Sequence, residues 1–352
     1  MPKVAVILIN YKDYAKKYLP ECIESLRKQN YPKEDFKIFI VDNATSRETE
    51  EYLKNTASEA EIIPNEKNDG FAEGNNIVMR RLMNSDFKYI VLFNMDTVAE
   101  PSWLLELVKK AEENFTAGAI QSLILLHPET KKINSTGNLF HFLGFGFCRG
   151  YGEEAINFKP ENLQPFFYVS GASALFPIKV LKEVGLFDPL FFMYHEDTDL
   201  SWRIRQAGYD LVLADKSIMY HKYQFSRSVL QFYYMERNRM IMLFENFRLG
   251  TLLLILLPFL VMEVGLFGYA LLKGLAKGKI KVYGYFLNYK NWIRMIKNKK
   301  EKMKLRKVSD REMAKLIVGK VEFQEIANPV LNYLVNPVFN FYWKIVRSFI
   351  FW

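Results

Sequence analysis

The residues able to do chemistry in this chain of 352 residues fall in five short stretches. They are IVDNATS with Asp42, NDGFAEGNN with Asn68, Gly70, Gly74 and Asn75, LFNMDT with Asp96, HEDTDLSW with Glu196, Asp197 and Asp199, and MYHK with His221. Carboxylates and an imidazole can move a proton or hold a cation, and glycine lets a backbone come close to a ligand. Taken singly, each group has a plainer explanation. Asp42 after a strand can cap a helix, Asp96 can cap a turn, and Gly70 and Gly74 can serve a loop with positive φ. A lone His221 is more often a hydrogen-bonded core residue than a ligand. Glu196, Asp197 and Asp199 at a helix start complement the helix dipole. The glycine spacing is not GxGxxG and no GxxxxGK[ST] occurs, so the usual dinucleotide and phosphate-loop readings fail.

Joint occurrence in this order is what outweighs the single explanations. VILINYKD (6–13), the stretches containing Asp42, Asn68 to Asn75 and Asp96, SGASALFPIKVLKEVGLFD (170–188), HEDTDLSWRIRQAGY (195–209) and MYHK together resemble glycosyltransferase family 2. These are inverting enzymes of the GT-A fold, and the likeness is to the rhamnosyltransferase-like branch, over roughly residues 3–245 including YYMERNRM (233–240).

The resemblance implies that Asn10 and Asp42 hold the donor's base and ribose. It implies that the loop with Asn68, Gly70, Gly74 and Asn75 lets backbone amides approach the nucleotide. Asp96 and His221 would hold a divalent cation, Mn²⁺ or Mg²⁺, against the departing diphosphate. Asn94 stands where the family has the first Asp of Asp-x-Asp, which leaves Asp96 as the single carboxylate there and metal dependence open. Asp197 is implied as general base, with Glu196 as the second candidate and Asp199 capping or bracing the helix. Gly171 and Trp202 fall where the acceptor or sugar would lie, with a core role favoured over a sugar stack for Trp202.

These groups need a scaffold. Continuous apolar runs at 4–9, 36–43 and 88–96, with a short run at 61–64, predict strands buried on both faces. Helical spacing between them predicts alternating helices, one over 77–83 and one over 103–113. The expected class is α/β, a GT-A type mostly parallel sheet with helices on both faces, whose ligands bind beyond the carboxyl ends of the strands. Farther on, a strand is expected at 117–126, a strand, turn and helix across 168–185, a helix starting near Glu196 and a strand near 210–214. The parts expected are 1–100 for the nucleotide sugar, 101–245 for acceptor and catalysis, and 246–352 as a membrane-associated helical region.

Composition excludes a disordered chain, a collagen-like repeat and a disulfide framework: half the residues are apolar, a quarter charged, and only Cys22 and Cys148 are cysteines. An aromatic share of 15% is high for a wholly water-soluble protein. The net charge of +9 is local, because residues 273–307 carry thirteen Lys or Arg and one Glu, leaving −3 for the rest. No nucleic-acid partner is expected from that distribution. The basic stretch follows a 22-residue apolar run, 251–272, whose charge is Glu263 alone. The opening apolar run is too short for a secretion signal, so the N-terminal part is placed in the cytosol.

A re-entrant or in-plane helical hairpin broken near Pro258 is favoured over a single span, and either over a core helix. Residues 251–307 would then meet an anionic membrane surface at the cytoplasmic face of the cell membrane. The tail from Asn332 reads either as an interfacial segment or as a helix docked on the protein's own core. The leading reading is transfer of a sugar, rhamnose among the candidates, from a nucleoside-diphosphate donor to a lipid-linked or polysaccharide acceptor. The alternatives are a non-catalytic nucleotide-sugar-binding scaffold and a nucleotidyltransferase on a related α/β fold.

Overall fold

The computed structural model describes residues 1–222, 228–321 and 329–352; residues 223–227 and 322–328, inside the expected second and third parts, lie outside that description. In chain order the elements begin β1 (Val4–Tyr11), α1 (Tyr14–Arg27), β2 (Phe36–Asn43), α2 (Arg47–Thr56), β3 (Glu61–Asn65), α3 (Gly70–Leu82), β4 (Tyr89–Phe93) and β5 (Thr97–Ala99). They continue with α4 (Trp103–Glu113), β6 (Ala117–Leu126), β7 (Ile133–Ser135), β8 (Asn138–His141), β9 (Gly146–Cys148), β10 (Ser173–Pro177), α5 (Ile178–Val184), α6 (Glu196–Gln206) and β11 (Asp210–His221). The C-terminal third holds α7 (Val229–Asn246), α8 (Leu249–Leu272), α9 (Ala276–Leu287), α10 (Tyr289–Lys304), α11 (Asp310–Leu316), β12 (Ile317–Val318) and α12 (Asn336–Val346).

The main sheet has the order β3-β2-β1-β4-β10-β6-β11-β5, with β7 paired to β6. Strands β3, β2, β1 and β4 are mutually parallel, β10 lies antiparallel between β4 and β6, and β11 is parallel to β6. This is the expected mostly parallel α/β sheet. Side chains alternate along β1 into two cores. Val4, Val6 and Leu8 pack with α1 and α4 on one face, and Ala5 and Ile7 pack with α3, α5 and α6 on the other. Burial on both faces explains the unbroken apolar runs. The register pairs Asn10 with Asp42, so both side chains reach the same strand edge.

Two departures from expectation shape that edge. β11 runs on to His221, well past the strand expected near 210–214, and its end pairs antiparallel with β5, His221 opposite Thr97. α3 begins at Gly70 instead of Ile77, so Gly70 to Asn75 form its first turns and are not an open loop.

A third core joins the small sheet β12-β8-β9 to Trp202 of α6 and to α7, α8, α10, α11 and α12. Phe142 stacks on Trp343 with centroids 5.0 Å apart, and His141 contacts Phe339, so part of the high aromatic content is internal packing.

α8 is one continuous helix through Pro258, against the expectation of a hairpin broken there. A proline inside a helix removes one amide donor and strands the carbonyl four residues back. That carbonyl is Leu254 O, and the Tyr342 hydroxyl of α12 donates to it at 2.6 Å. The bond lost within α8 is therefore replaced from a neighbouring helix.

The basic stretch is also only partly outward. Lys279 and Lys302 are buried, and Lys299 Nζ donates to Phe244 O at 2.6 Å. These three charges serve the protein's own carboxylates and carbonyls instead of a membrane surface. The tail docks on the protein's own core, since α12 buries Phe339, Trp343 and Val346, and it leaves Val338, Phe341 and Ile345 exposed.

Candidate active site

At the carboxyl end of β1 and β2, Asn10 Nδ2 donates to Asp42 Oδ1 at 2.6 Å, and Asn10 Oδ1 accepts from the Ala15 amide at 2.8 Å. Asp42 Oδ2 accepts from Thr45 Oγ1 at 2.6 Å and Thr49 Oγ1 at 2.8 Å. Asp42 is fully buried and three donors occupy its carboxylate. It fixes the turn from β2 into α2, a role beyond the base contact that the resemblance implies.

Asp96 follows β4. The antiparallel end of β11 brings His221 Nε2 to 3.5 Å from Asp96 Oδ2, and His221 Nδ1 lies 3.2 Å from Asn134 Oδ1. Burial alone would raise the Asp96 carboxyl, but His221, and then the Tyr14 hydroxyl, hold it below its usual value. Burial and the Asp96 charge push the Tyr14 phenol upward in turn. Asp96 Oδ1 is buried and accepts no hydrogen bond among the described residues. An unpartnered carboxylate oxygen beside an imidazole suits an oxygen- and nitrogen-seeking divalent cation. No group of three His, Cys, Asp or Glu able to hold a metal occurs among the described residues. The protein would thus supply two ligands and leave the rest to the substrate's oxygens and water.

Asp197 opens α6. Its Oδ2 accepts from the Gly171 amide at 3.2 Å and its Oδ1 from the Thr198 amide at 2.7 Å. Burial raises the Asp197 carboxyl in spite of these donors. Burial, and then the Asp197 charge, raises Glu196 well above its ordinary range, and Glu196 Oε2 has no hydrogen-bond partner among the described residues. Two adjacent buried carboxyls disfavour joint ionisation. Asp199 is different: burial would raise it, but Lys302 and Arg203 bring it down to about 2. Lys302 Nζ lies 2.5 Å from Asp199 Oδ1, and Arg203 Nε lies 2.9 Å from Asp199 Oδ2. Asp199 therefore braces α6, as expected.

The centres are physically joined. The Asn94 amide donates to Ala172 O at 3.1 Å, so the segment entering β10 ties the Asp96 end of β4 to Gly171 and hence to Asp197. A Cβ on Gly171 would sit 3.2 Å from the Phe71 ring and 3.9 Å from Asp197 Cβ. Gly171 thus seats the carboxylate, where a sugar or acceptor contact was expected.

Gly70 and Gly74 have another task than admitting a nucleotide. Gly70 has φ +77°, and a Cβ there would lie 2.3 Å from Phe192 O, which already accepts from the amides of Phe71 at 2.7 Å and Ala72 at 3.1 Å. A Cβ on Gly74 would meet Asn43 Nδ2 at 3.1 Å. Both glycines serve close approaches within the chain. Asn68 Oδ1 accepts from the Gly70 amide at 3.1 Å. Asn75 Nδ2 donates to Phe71 O at 2.8 Å, while its Oδ1 is buried without a partner among the described residues. Trp202 is fully buried and meets Phe140, Phe167 and Phe247 edge-on at 5.2, 5.0 and 4.8 Å. It is a core residue and cannot stack on a sugar.

Strain concentrates here. Among the described residues, the non-glycine residues at left-handed φ are Lys12, Ala44, Phe192, Tyr194 and His195, all in turns at the candidate site. Such conformations persist only where their surroundings over-determine them. Phe192, with φ 62° and ψ −62°, centres a γ-turn of the rare hand closed by the Met193 amide on Phe191 O at 2.7 Å. Asn238 of α7 clamps that turn: its Nδ2 lies 2.8 Å from the carbonyl oxygens of Phe191, Met193 and Tyr194. Arg237 adds a bond to Leu190 O at 2.6 Å. Tyr14, Asn134, Asn238 and Lys302 escape a reading by residue type. Only Asn238 carries a signal, through its place in YYMERNRM.

Comparison with known proteins agrees with this fold. A hexosyltransferase of low-salt glycan biosynthesis, Agl10 of Haloferax volcanii, is 23% identical over 213 residues, 59% of this chain and 63% of its own length. The mannosyltransferase PcManGT of Pyrobaculum calidifontis, solved with GDP-Man and Mn²⁺, superposes with TM-score 0.50 at 16% identity, over 69% of this chain and 63% of that one. GalNAc-T7, solved with UDP, GalNAc and Mn²⁺, superposes with TM-score 0.52 at 14% identity, over 68% of this chain and 48% of that one. The chain thus spans less than two thirds of each of these proteins, and the two structures speak to the fold alone. The model of glycosyl transferase family 2 matches residues 5–184, just over half of the chain, and with β1 to β10 laid out as above the chain belongs to glycosyl transferase family 2.

Proposed function

We propose that this protein is an inverting glycosyltransferase that moves a sugar, a hexose or rhamnose, from a nucleoside diphosphate to a lipid-linked or polysaccharide acceptor at the cytoplasmic face of a membrane. The observation that carries the reading is the short covalent and hydrogen-bonded path from Asp96 through Asn94, Ala172 and Gly171 to Asp197. It supports reading Asp96 and His221 as the pair for the diphosphate and Asp197 as the base, since it joins them at one edge of the sheet. The family, the hexosyltransferase relative and the nucleotide-bound structures of like fold support it.

In the mechanism, the donor's base and ribose lie over Asn10, Asp42, Asn68 and Asn75. Asp42 acts by fixing the Ala44 turn as well as by any direct contact. Asp197 accepts the proton of the acceptor hydroxyl as that oxygen bonds to the anomeric carbon, while the bond from that carbon to the diphosphate oxygen breaks with its electron pair. Burial raises the Asp197 carboxyl, which favours its taking up that proton, and Glu196 is the second candidate for the role. Asp96 and His221 would hold Mn²⁺ or Mg²⁺, whose charge offsets that gathering on the leaving diphosphate.

The test combines donor binding with turnover. Nucleotide sugars are screened for a rise in melting temperature with and without Mn²⁺, because a ligand specific to the folded state stabilises it by mass action. The donor so found is then used in transfer assays with wild type and Asp197→Asn. The variant keeps a carbonyl oxygen for the Gly171 and Thr198 amides but loses the base. Transfer is expected to fall about 10²–10⁴-fold with the donor shift intact. A wild type that binds donor but neither transfers nor hydrolyses it is the non-catalytic scaffold, and no shift with any donor defeats the enzyme reading.

A further inference from the structure

The apolar helix α8 is long enough to cross a membrane by length and composition. Its charge network argues for another placement. Glu263 contacts Arg239 of α7 and lies 2.8 Å from Lys279 of α9, and Glu236 of α7 completes a buried quartet at 3.0 Å from Arg239 and 2.5 Å from Lys279. Asn238, which clamps the strained turn before Asp197, neighbours Arg239 on the same helix. A spanning α8 would carry these charges and that clamp into hydrocarbon. The helix instead lies along the protein. Its inner face, with Ile255, Pro258 and Glu263, is buried, and its outer face, with Leu257 67% and Val264 76% exposed, is open.

α12 adjoins it. Besides the Tyr342 bond to Leu254 O, Trp352 Nε1 donates to Thr251 Oγ1 at 2.9 Å. α12 exposes Val338, Phe341 and Ile345. Beside it are two contiguous grooves of about 550 and 270 Å³ that share Lys320, Asn340 and Lys344 and have no acidic residue among the described residues that line them. Arg347 lines the second. Lys320, Lys344 and Arg347 have no carboxylate partner among the described residues. Residues 329–352 contain Lys344 and Arg347 and no acid, and residues 249–281 contain Glu263 alone, which is buried.

We propose that α8 and α12 lie in the plane of one leaflet of an anionic membrane, and that the Lys320–Asn340–Lys344 groove seats a lipid phosphate. Exposed leucines and aromatics enter the acyl boundary while cations sit at the phosphates. A second copy fits worse, since a two-fold contact would set these unneutralised cations against one another. The proposal deepens the lipid-linked acceptor reading and rests on it for its purpose, because in-plane seating holds α6 and α7 at a fixed height beside lipid-borne substrates.

The test is flotation of the full chain with vesicles of phosphatidylcholine alone or with phosphatidylglycerol added. Binding at least tenfold tighter to the anionic vesicles is expected. Leu257→Glu with Val264→Glu, both on the open face, should abolish flotation with the melting temperature unchanged. Lys320→Glu with Lys344→Glu should lower anionic binding at least tenfold, given a factor of about five for each cation near such a surface. Equal binding to both vesicle types, or retention by either double variant, overturns the proposal. So does stabilisation by inorganic phosphate without vesicle binding, or a dimer that the Leu257→Glu/Val264→Glu variant converts to monomer. Donor-induced melting shifts on the same proteins keep the outcomes apart: vesicle binding lost with the shift retained refutes only the seating, whereas a wild type without a shift refutes the transferase reading.

Discussion

Replacing Asn238 by alanine tests whether the turn before Asp197 is held in place from α7. The buried amide offers two hydrogens to three carbonyl oxygens, each 2.8 Å away. At about 0.5–1.5 kcal/mol net per bond, the lost clamp is worth about 1–3 kcal/mol. Against it stand Phe192, Tyr194 and His195 at left-handed φ, each storing about 1–3 kcal/mol. The remaining restraints are the amides of Phe71 and Ala72 on Phe192 O, the Arg237 bonds, and the Phe192–Tyr234 stack at 4.8 Å. They are expected to hold the fold but not the turn. Asn238→Ala should therefore unfold at lower urea, by about 1–3 kcal/mol on the summed estimates. Transfer should fall about 10²-fold, the usual penalty for a shift near 1 Å in a reacting group. Asn238→Asp, which turns oxygen toward the same carbonyls, should be worse on both counts. Tryptophan fluorescence in urea gives the stability, and single-turnover transfer with bound donor gives the positioning effect. Stability within about 0.5 kcal/mol of wild type together with undiminished transfer would show that the clamp does not hold the turn.

Two further outcomes follow from the same geometry. Gly70→Ala puts a Cβ 2.3 Å from Phe192 O at φ +77°, so α3 must retreat from the turn. A loss of about 3 kcal/mol or more by urea unfolding is expected, and a variant as stable as wild type would contradict it. Glu245 is raised to about 7, first by burial and only partly offset by Lys302. A carboxyl raised in the folded state binds more protons there than in the unfolded chain, so its contribution weakens stability as pH climbs from 4.5 through 7. Glu245→Gln should flatten that decline, gaining roughly 2–3 kcal/mol on wild type between pH 5 and pH 8. Parallel pH profiles would reject the assignment.

What could be read without coordinates was local. The runs at 36–43, 103–113 and 117–126 coincide with β2, α4 and β6, because unbroken apolar stretches and amphipathic spacing are written within one element. Asp96, His221 and Asp197 were legible as candidates; the structure sets His221 3.5 Å from Asp96 and ties Asp197 to Gly171. The misreadings share one cause, a partner far along the chain. Pro258 does not break α8 because Tyr342 supplies the missing donor. Gly70 is needed by Phe192, more than a hundred residues later, and Lys302 faces Asp199 and not a membrane. Trp202 resembles a sugar platform by type, and Phe140, Phe167 and Phe247 decide otherwise.

The ion pair between Asp199 and Lys302 bridges 103 residues and thereby sets an order of events during synthesis. At about 5–20 residues per second, α6 waits roughly 5–20 s after leaving the ribosome before its countercharge exists. Arg203 alone neutralises Asp199 in that interval, and Glu245, whose described ion-pair partner is the same Lys302, waits with it. The parallel strands β1 to β4 can assemble early, but the helix bearing Asp197 becomes electrostatically complete only when α10 arrives. A chain stopped anywhere before residue 302 would carry the parallel strands β1 to β4 with the buried charges of Asp199 and Glu245 left without Lys302.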